Sequence, residues 1–181
     1  DPGVARTDRP LIEGGVRCVS PIEGSTVEHC ELGDQAGSKV IALVGDSHAE
    51  HWIPAFDAAA RRSGWKLLVY TKLGCAFTDT MVMAGNAKTG FSDYPQCREW
   101  AGKVVEELER VQPALVVVSQ SPNHRIKDLA PRGSQQKIAE GVVTLSRALE
   151  LHRIKVAVVK HTPWLPVSAP ECVKAGRGGC D

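Results

Sequence analysis

One short stretch, an apolar run that leads directly into a turn and a helix, constrains the fold more than any other part of the chain. Residues 40–44 read Val-Ile-Ala-Leu-Val, which is typical of a buried strand in an α/β sheet. The next residues, Gly45, Asp46 and Ser47, interrupt this run. Apolar residues then recur with helical periodicity from Trp52 onward. The stretch therefore predicts a strand, a sharp turn at Ser47 and a helix.

The predicted turn gives Ser47 an unusual position. Its hydroxyl is expected at the carboxyl edge of a sheet, beside the first amide groups of a helix, which are available to bind an oxyanion. This arrangement is typical of an activated serine nucleophile. The plain alternative is that Asp46 or Ser47 only caps the helix.

The extended string resembles the first block of the SGNH hydrolase family, and more closely the SGNH domain fused behind the membrane part of acyltransferase family 3 proteins. The resemblance rests on Gly45-Asp46-Ser47-His48, His51-Trp52, Pro54, Gly64-Trp65 and Thr71-Lys72-Leu73-Gly74-Cys75, and it extends from about Cys18 to Cys180. Those proteins attach acyl groups to cell-envelope polysaccharides. The resemblance therefore implies an O-acyltransferase domain, with acetyl as the common acyl group.

Composition places the chain among ordinary globular proteins. Its 181 residues are 43% hydrophobic and 24% charged, with a formal net charge of +1. No cluster of Lys and Arg stands out, so we expect no nucleic-acid partner. The apolar runs fall far short of the roughly 20 residues that span a bilayer, and we see no signal peptide. With the resemblance, this predicts a soluble piece of a larger membrane protein.

The chain has six cysteines, an even number without any Cys-x-x-Cys spacing, so we expect no zinc site. We expect no cofactor. Six cysteines allow about 15 pairings. The simplest pairing joins neighbours, as Cys18–Cys30, Cys75–Cys97 and Cys172–Cys180. Six reduced thiols in a cytosolic protein are the alternative. We favour disulfides, which indicate an extracytoplasmic location.

We interpret residues 1–38, rich in Gly, Pro and acidic residues, as a linker and N-terminal extension that contains one disulfide, and residues 39–181 as the domain. Short apolar runs predict strands at 39–44, 65–71, 114–119 and 155–160, and apolar residues at helical spacing predict helices at 49–63, 98–111 and 134–151. Residues 72–96 and 120–133 are predicted loops, and residues 161–181 an irregular tail. Right-handed crossovers then give a three-layer α/β/α sandwich with a parallel sheet. We expect the flavodoxin-like strand order 2-1-3-4 of the SGNH fold, with the site between the first and third strands.

The resemblance also suggests donors for an oxyanion. The Ser47 amide is one, and Gly74, after the second strand, matches a glycine that provides its amide in the SGNH pattern. The plain alternative for Gly74 is a turn glycine with positive φ. The third SGNH block, Gly-x-Asn, is not intact, because residues 119–123 read Ser-Gln-Ser-Pro-Asn. Gln120 and Asn123 are the candidate amide donors there, with a polar loop role as the alternative.

The catalytic base is the missing part of the pattern. The family takes it from an Asp-x-x-His motif near the C-terminus, and no such motif follows the fourth predicted strand. We expect that the C-terminal stretch carrying the base, with a fifth strand, is absent from this chain. His161, at the end of the fourth strand, is the best internal substitute, with a structural role preferred. Asp46 and His48 are expected to support the turn rather than to act as the base.

Three functions remain open from sequence. In the first, Ser47 takes an acyl group relayed by a fused membrane acyltransferase portion and passes it to a hydroxyl of an envelope glycan. In the second, a stand-alone esterase or deacetylase of the same fold uses water as acceptor. In the third, the domain only binds glycan and does not catalyse. The cysteine-bearing N-terminal segment favours the first, in a protein tethered to the membrane on its extracytoplasmic side.

Overall fold

A five-stranded sheet organises the fold in the computed structural model, which describes residues 18–86, 88–160 and 169–176. The strands in chain order are β1 (Cys30–Gly33), β2 (Lys39–Gly45), β3 (Trp65–Thr71), β4 (Met83–Asn86), β5 (Gly90–Asp93), β6 (Leu115–Ser119) and β7 (Lys155–Val158). The main sheet has the order β1-β3-β2-β6-β7, and β4 pairs with β5 in a separate hairpin.

Four strands of the main sheet are parallel, and this confirms the predicted fold class. The order β3-β2-β6-β7 is the predicted 2-1-3-4 arrangement. In the register, Gly45 lies opposite Thr71 on one side and Ser119 on the other. The carboxyl ends of β2, β3 and β6 therefore meet at one edge, where polar residues from three loops come together.

Five helices accompany these strands in the described residues: α1 (Ser47–Glu50), α2 (Ile53–Ser63), α3 (Pro95–Val111), α4 (Pro131–Leu151) and α5 (Ala169–Lys174). Successive residues of β2 face opposite layers. Leu43 packs with Ala49 and Ile53 on the side of α1 and α2. Val44 packs in the larger core with Trp100 of α3 and helix α4. Burial on both faces explains why the central strands read as continuous apolar runs.

The helix predicted at 49–63 is two helices with a break at His51 and Trp52. Pro54 falls in the first turn of α2, where an amide hydrogen is not needed for the helix, so a new helix starts there. Helices α3 and α4 likewise start at prolines, Pro95 and Pro131, three residues before the predicted starts. The break places Ser47 in a separate single turn of helix.

Three short elements were not predicted. Strand β1 lies within the segment interpreted as an N-terminal extension and pairs antiparallel with β3. The hairpin of β4 and β5 lies within the predicted loop 72–96, and α5 lies within the predicted irregular tail. Each strand among them has only four residues, too few to establish a periodic pattern.

Two of the predicted disulfides are confirmed, Cys18–Cys30 and Cys75–Cys97. The third predicted bridge includes Cys180, which lies outside the described residues. Among the described helices, none has both the length and the apolar character that a membrane crossing requires.

Candidate active site

The strand that leads to the candidate site ends at a glycine that no other residue could replace without a clash. Gly45 has φ of 151°, and a Cβ atom built on it would lie 1.8 Å from the carbonyl oxygen of Ser119. Because glycine has no Cβ atom, β2 and β6 can approach closely at their carboxyl ends. The turn at Asp46 and the loop after β6 are therefore adjacent.

Asp46 caps the helical turn that carries Ser47. Its Oδ1 accepts a hydrogen bond from the amide of His48 at 2.8 Å, and its carbonyl oxygen accepts one from the amide of Ala49 at 2.9 Å. Ser47 is the first residue of α1 and is half-buried. In the part of the chain that the structure describes, neither its amide nor its hydroxyl has a hydrogen-bond partner.

The second oxygen of Asp46 binds the loop after β6. Oδ2 accepts a hydrogen bond from the amide of Ser121 at 2.8 Å and lies 2.6 Å from Nε2 of His124. Asp46 is 1% exposed and His124 is 8% exposed. A carboxylate only accepts hydrogen bonds, so Nε2 of His124 carries the shared proton. One buried carboxylate thereby joins the end of β2, the start of α1 and the loop after β6.

These contacts decide the charge of Asp46. Burial alone raises the pKa of a carboxyl group. The hydrogen bond and charge of His124, with the amides of Ser121 and His48, outweigh burial and hold the pKa of Asp46 below its ordinary value. Asp46 is therefore an ionised buried carboxylate at neutral pH, and it serves as an acceptor rather than as an acid.

Gly74 occupies an exposed turn after β3, with φ of 64°. Its amide has no hydrogen-bond partner among the residues that the structure describes. The turn is attached to the end of β2, because the amide of Lys72 donates to the carbonyl oxygen of Gly45 at 3.0 Å. The positive φ agrees with the turn-glycine interpretation, while the unpartnered amide leaves the oxyanion interpretation open.

The two candidate amide side chains after β6 differ in how they are held. Oε1 of Gln120 accepts a hydrogen bond from the amide of Phe77 at 2.8 Å, which fixes the side chain and leaves its NH₂ group as a donor. Asn123 is exposed, and its backbone amide donates to Oγ of Ser121 at 3.2 Å. Gln120 is therefore the better-anchored candidate, and its contact with Phe77 ties the loop after β3 to the loop after β6.

Four of the six histidines bear on the candidate site, and they divide into three groups. His48 and His51 have ring centroids 5.6 Å apart on and just after α1. His161, the predicted substitute base, lies outside the described residues. His124, which contacts Asp46, was missed by sequence reasoning. The available signal was its position five residues after β6, at the same sheet edge as Ser47, but a loop offers no periodicity that would single it out.

The described residues contain no group of three His, Cys, Asp or Glu side chains that could hold a metal ion. The site is instead a set of backbone amides and polar side chains at the edge of the sheet that carries Ser47. Such a set can stabilise an oxyanion and present a serine hydroxyl. It lacks, within the described residues, a histidine hydrogen-bonded to Ser47.

A buried lysine anchors the N-terminal segment close to this edge. Lys72 is fully buried, and its Nζ donates to the carbonyl oxygens of Pro21, Ile22 at 3.2 Å and Gly24 at 3.1 Å. Burial lowers the pKa of this ammonium group, and Glu23 opposes the effect. The hydroxyl of Tyr94 also donates to the carbonyl oxygen of Ile22, at 3.1 Å. Residues 21–24 are thus held to the body of the domain by two side chains.

Comparisons with known proteins agree with this architecture. The family model of the SGNH domain (fused to AT3 domains) matches residues 17–180. A solved structure, the periplasmic domain of a lipopolysaccharide acetyltransferase from Salmonella ser. Paratyphi A, superposes with a TM-score of 0.60 at 14% sequence identity. The match covers 90% of this chain and 59% of that one, so the chain spans less than two thirds of its structural neighbour. No curated protein matches the sequence.

Proposed function

Since the chain belongs to the family of SGNH domains fused to AT3 domains, we propose that it is an extracytoplasmic O-acyltransferase domain with Ser47 as its nucleophile. The acyl group, acetyl in the simplest case, is relayed by a fused membrane acyltransferase portion, and the acceptor is a hydroxyl of an envelope glycan. The observation that carries the proposal is the position of Ser47, whose amide and hydroxyl lack partners among the described residues beside the Asp46 cap.

The proposed reaction has two steps. Oγ of Ser47 attacks the acyl carbonyl while a base takes its proton, and the donor leaves with a proton to give acyl-Ser47. A sugar hydroxyl then attacks this ester, its proton passes to the base, and Ser47 leaves with a proton as the acyl sugar forms. In both steps the amides of Ser47 and Gly74 and the NH₂ group of Gln120 are the proposed donors to the oxyanion.

We propose that the base is supplied from outside these residues. The Asp-x-x-His motif occurs nowhere in the 181-residue sequence. His124 is engaged by the carboxylate of Asp46 at 2.6 Å and makes no hydrogen bond to Ser47. His161 remains the candidate for an internal base. This stays a prediction, because His161 lies outside the described residues.

The proposed location rests on several independent features. Cys18–Cys30 and Cys75–Cys97 are bridged, and disulfides persist in oxidising compartments. The family is one of domains fused to AT3 domains, and the structural neighbour is a periplasmic domain. A membrane-tethered domain on the extracytoplasmic side accounts for all of these features.

The proposal is tested by Ser47→Ala, with Ser92→Ala on exposed strand β5 as the matched control, in the complete gene product. We expect Ser47→Ala to abolish acylated protein detected by mass spectrometry and to lower acyl transfer to glycan by about 10⁴-fold or more. The control should retain both. Transfer that survives Ser47→Ala would contradict the nucleophile assignment.

One alternative is favoured by a specific observation. A domain that only binds glycan needs no base, and the sequence contains no Asp-x-x-His. In that case glycan binding would survive Ser47→Ala, and no acyl-Ser47 would form in the unmodified protein. An esterase would form acyl-Ser47 but release the free acid instead of an acylated sugar, so product analysis separates all three functions.

A further inference from the structure

We propose that His124 is a positioning residue of the acyl-transfer site, which holds the loop after β6 against the nucleophile turn through the carboxylate of Asp46. The inference rests on the function proposed above for its catalytic meaning. The contact itself can be tested without that function. Nothing in the family match or in the structural neighbour's description assigns a role to this histidine.

The contact joins two buried side chains from distant parts of the sequence. Nε2 of His124 lies 2.6 Å from Oδ2 of Asp46, and both side chains are more than nine-tenths buried. Within the described residues, the ring of His124 makes no other hydrogen bond. A buried carboxylate needs donors to offset its lost hydration. His124 is the one side chain that donates to Asp46 there, and the remaining donors are backbone amides.

The two oxygens of Asp46 have different tasks, and this is why the contact matters for geometry. Oδ1 accepts a hydrogen bond from the amide of His48, and this contact stabilises the turn that carries Ser47. Oδ2 accepts a hydrogen bond from the amide of Ser121, the residue that follows the proposed oxyanion donor Gln120. A carboxylate held by His124 therefore fixes the distance between the nucleophile turn and the loop of that donor.

The geometry argues against His124 as the base. Nε2 is occupied by Asp46, and no hydrogen bond joins His124 to Ser47. A base must reach the proton that it removes, directly or through one water. A positioning residue instead acts through its partner, and a side chain that preserves the hydrogen bond can replace it. The amide of glutamine preserves a donor of comparable reach, whereas leucine fills the space without one.

The first measurement is independent of catalysis. Amide hydrogen exchange of Ser121 and His48, followed by NMR in the folded 181-residue chain, is compared for the unmodified protein, His124→Gln and His124→Leu. We expect His124→Leu to speed exchange at Ser121 by about tenfold or more, as the loss of a charge-assisted hydrogen bond implies. His124→Gln should restore most of the protection. His152→Leu and His152→Gln are matched controls, because His152 is a half-exposed histidine at the end of α4, paired with Glu109.

The second measurement is acyl transfer by the complete gene product. We expect His124→Leu to lower kcat by about 10- to 100-fold with little change in KM, because misplacement of supporting groups affects the transition state more than substrate binding. His124→Gln should recover most of kcat, and the His152 variants should match the unmodified protein. Acyl-Ser47 should still form, more slowly, in His124→Leu.

The outcomes separate the contact from the function. Faster Ser121 exchange with unchanged kcat would overturn the positioning role, and unchanged exchange would overturn the contact. Loss of acyl-Ser47 in both His124 variants, with normal exchange at Ser121, would make His124 the base and overturn positioning. If exchange responds as expected but the unmodified protein transfers no acyl group, the proposed function fails while the contact between His124 and Asp46 is confirmed.

Discussion

Asp46 is the residue on which the candidate site depends most, and its charge gives a pH-dependent prediction. The native pKa lies below the ordinary value, because donors from His124, Ser121 and His48 outweigh burial. A carboxyl group with a depressed native pKa binds fewer protons when folded, so it stabilises the fold above its unfolded pKa of about 3.9. That stabilisation is lost as the pH falls below this value.

We therefore expect Asp46→Asn to lower the free energy of unfolding by about 2–3 kcal/mol at pH 7, where the charge is fully present. The difference from the unmodified protein should shrink as the pH falls below about 4. Urea unfolding at a series of pH values measures it. Asp57→Asn is a useful control, because Asp57 accepts a hydrogen bond from the amide of Gly33 and pairs with Arg61, but its side chain is 24% exposed. A deficit for Asp46→Asn that is constant with pH would contradict the assigned charge.

Gly45 gives a second prediction at the same scale. A methyl group there would lie 1.8 Å from the carbonyl oxygen of Ser119, at a φ that side chains rarely adopt. Gly45→Ala should therefore destabilise the protein by about 2–4 kcal/mol, through both strain and strand separation. Gly102→Ala in α3 meets nothing within 4 Å and should stabilise by up to about 1 kcal/mol. Thermal unfolding measures the melting temperatures of the two variants. Equal melting temperatures would contradict the close approach of β2 and β6 at Gly45.

Sequence reasoning selected Ser47 and Asp46 because both follow a long apolar run, where a strand end can be recognised, and the nucleophile role of Ser47 stays a prediction. It missed His124, because the contact with Asp46 spans 78 positions and the intervening loop has no periodic pattern. The roles of Gly74, Gln120 and Asn123 stay predictions. What the structure adds is that Gln120 is anchored by Phe77 and that Asn123 is exposed.

At the scale of elements, the strands with continuous apolar sequences were predictable and the short ones were not. Strands β2, β3, β6 and β7 appear within two residues of their predicted bounds. Strand β1 depends on pairing with β3 and on the bridge from Cys30 to Cys18, which are long-range interactions. Its formation is decided by tertiary context, which local patterns do not contain.

The N-terminal segment offers a prediction at this scale, because Lys72 alone donates to three of its carbonyl oxygens. Lys72→Met keeps the length of the side chain but leaves these carbonyls without their donor. We expect a loss of about 2–4 kcal/mol in unfolding free energy and faster proteolysis within residues 20–28. Lys103→Met removes an exposed contact with Ser25 in the same segment and should cost about 0.5 kcal/mol or less. If both variants resisted protease as the unmodified protein does, the segment would be held by Tyr94, Trp100 and the disulfide instead.

At the scale of the whole molecule, the structure has a helical turn that carries Ser47, the proposed nucleophile, and the described residues include no histidine hydrogen-bonded to Ser47. The backbone amides of Ser47 and Gly74 lack hydrogen-bond partners among the described residues, and the ionised Asp46 accepts hydrogen bonds from its neighbours. The match covers 59% of the structural neighbour's length. If the base lies outside these residues, as proposed above, the 181-residue chain is expected to fold but not to catalyse repeated turnovers.

This expectation is tested by comparing the 181-residue chain with the complete gene product on an activated acetyl ester. Removal of the base from a Ser-His pair lowers the rate by about 10⁴- to 10⁶-fold, so the chain alone should show only a slow reaction at Ser47. The complete product should be faster by a comparable factor, and Ser47→Ala should reduce it to background. Cooperative unfolding of the 181-residue chain, with no free thiol detected after denaturation, would show that low activity does not come from misfolding. Full activity of the chain by itself would instead place the base within these residues, and His161→Gln and His124→Gln would then identify which histidine takes the proton from Ser47.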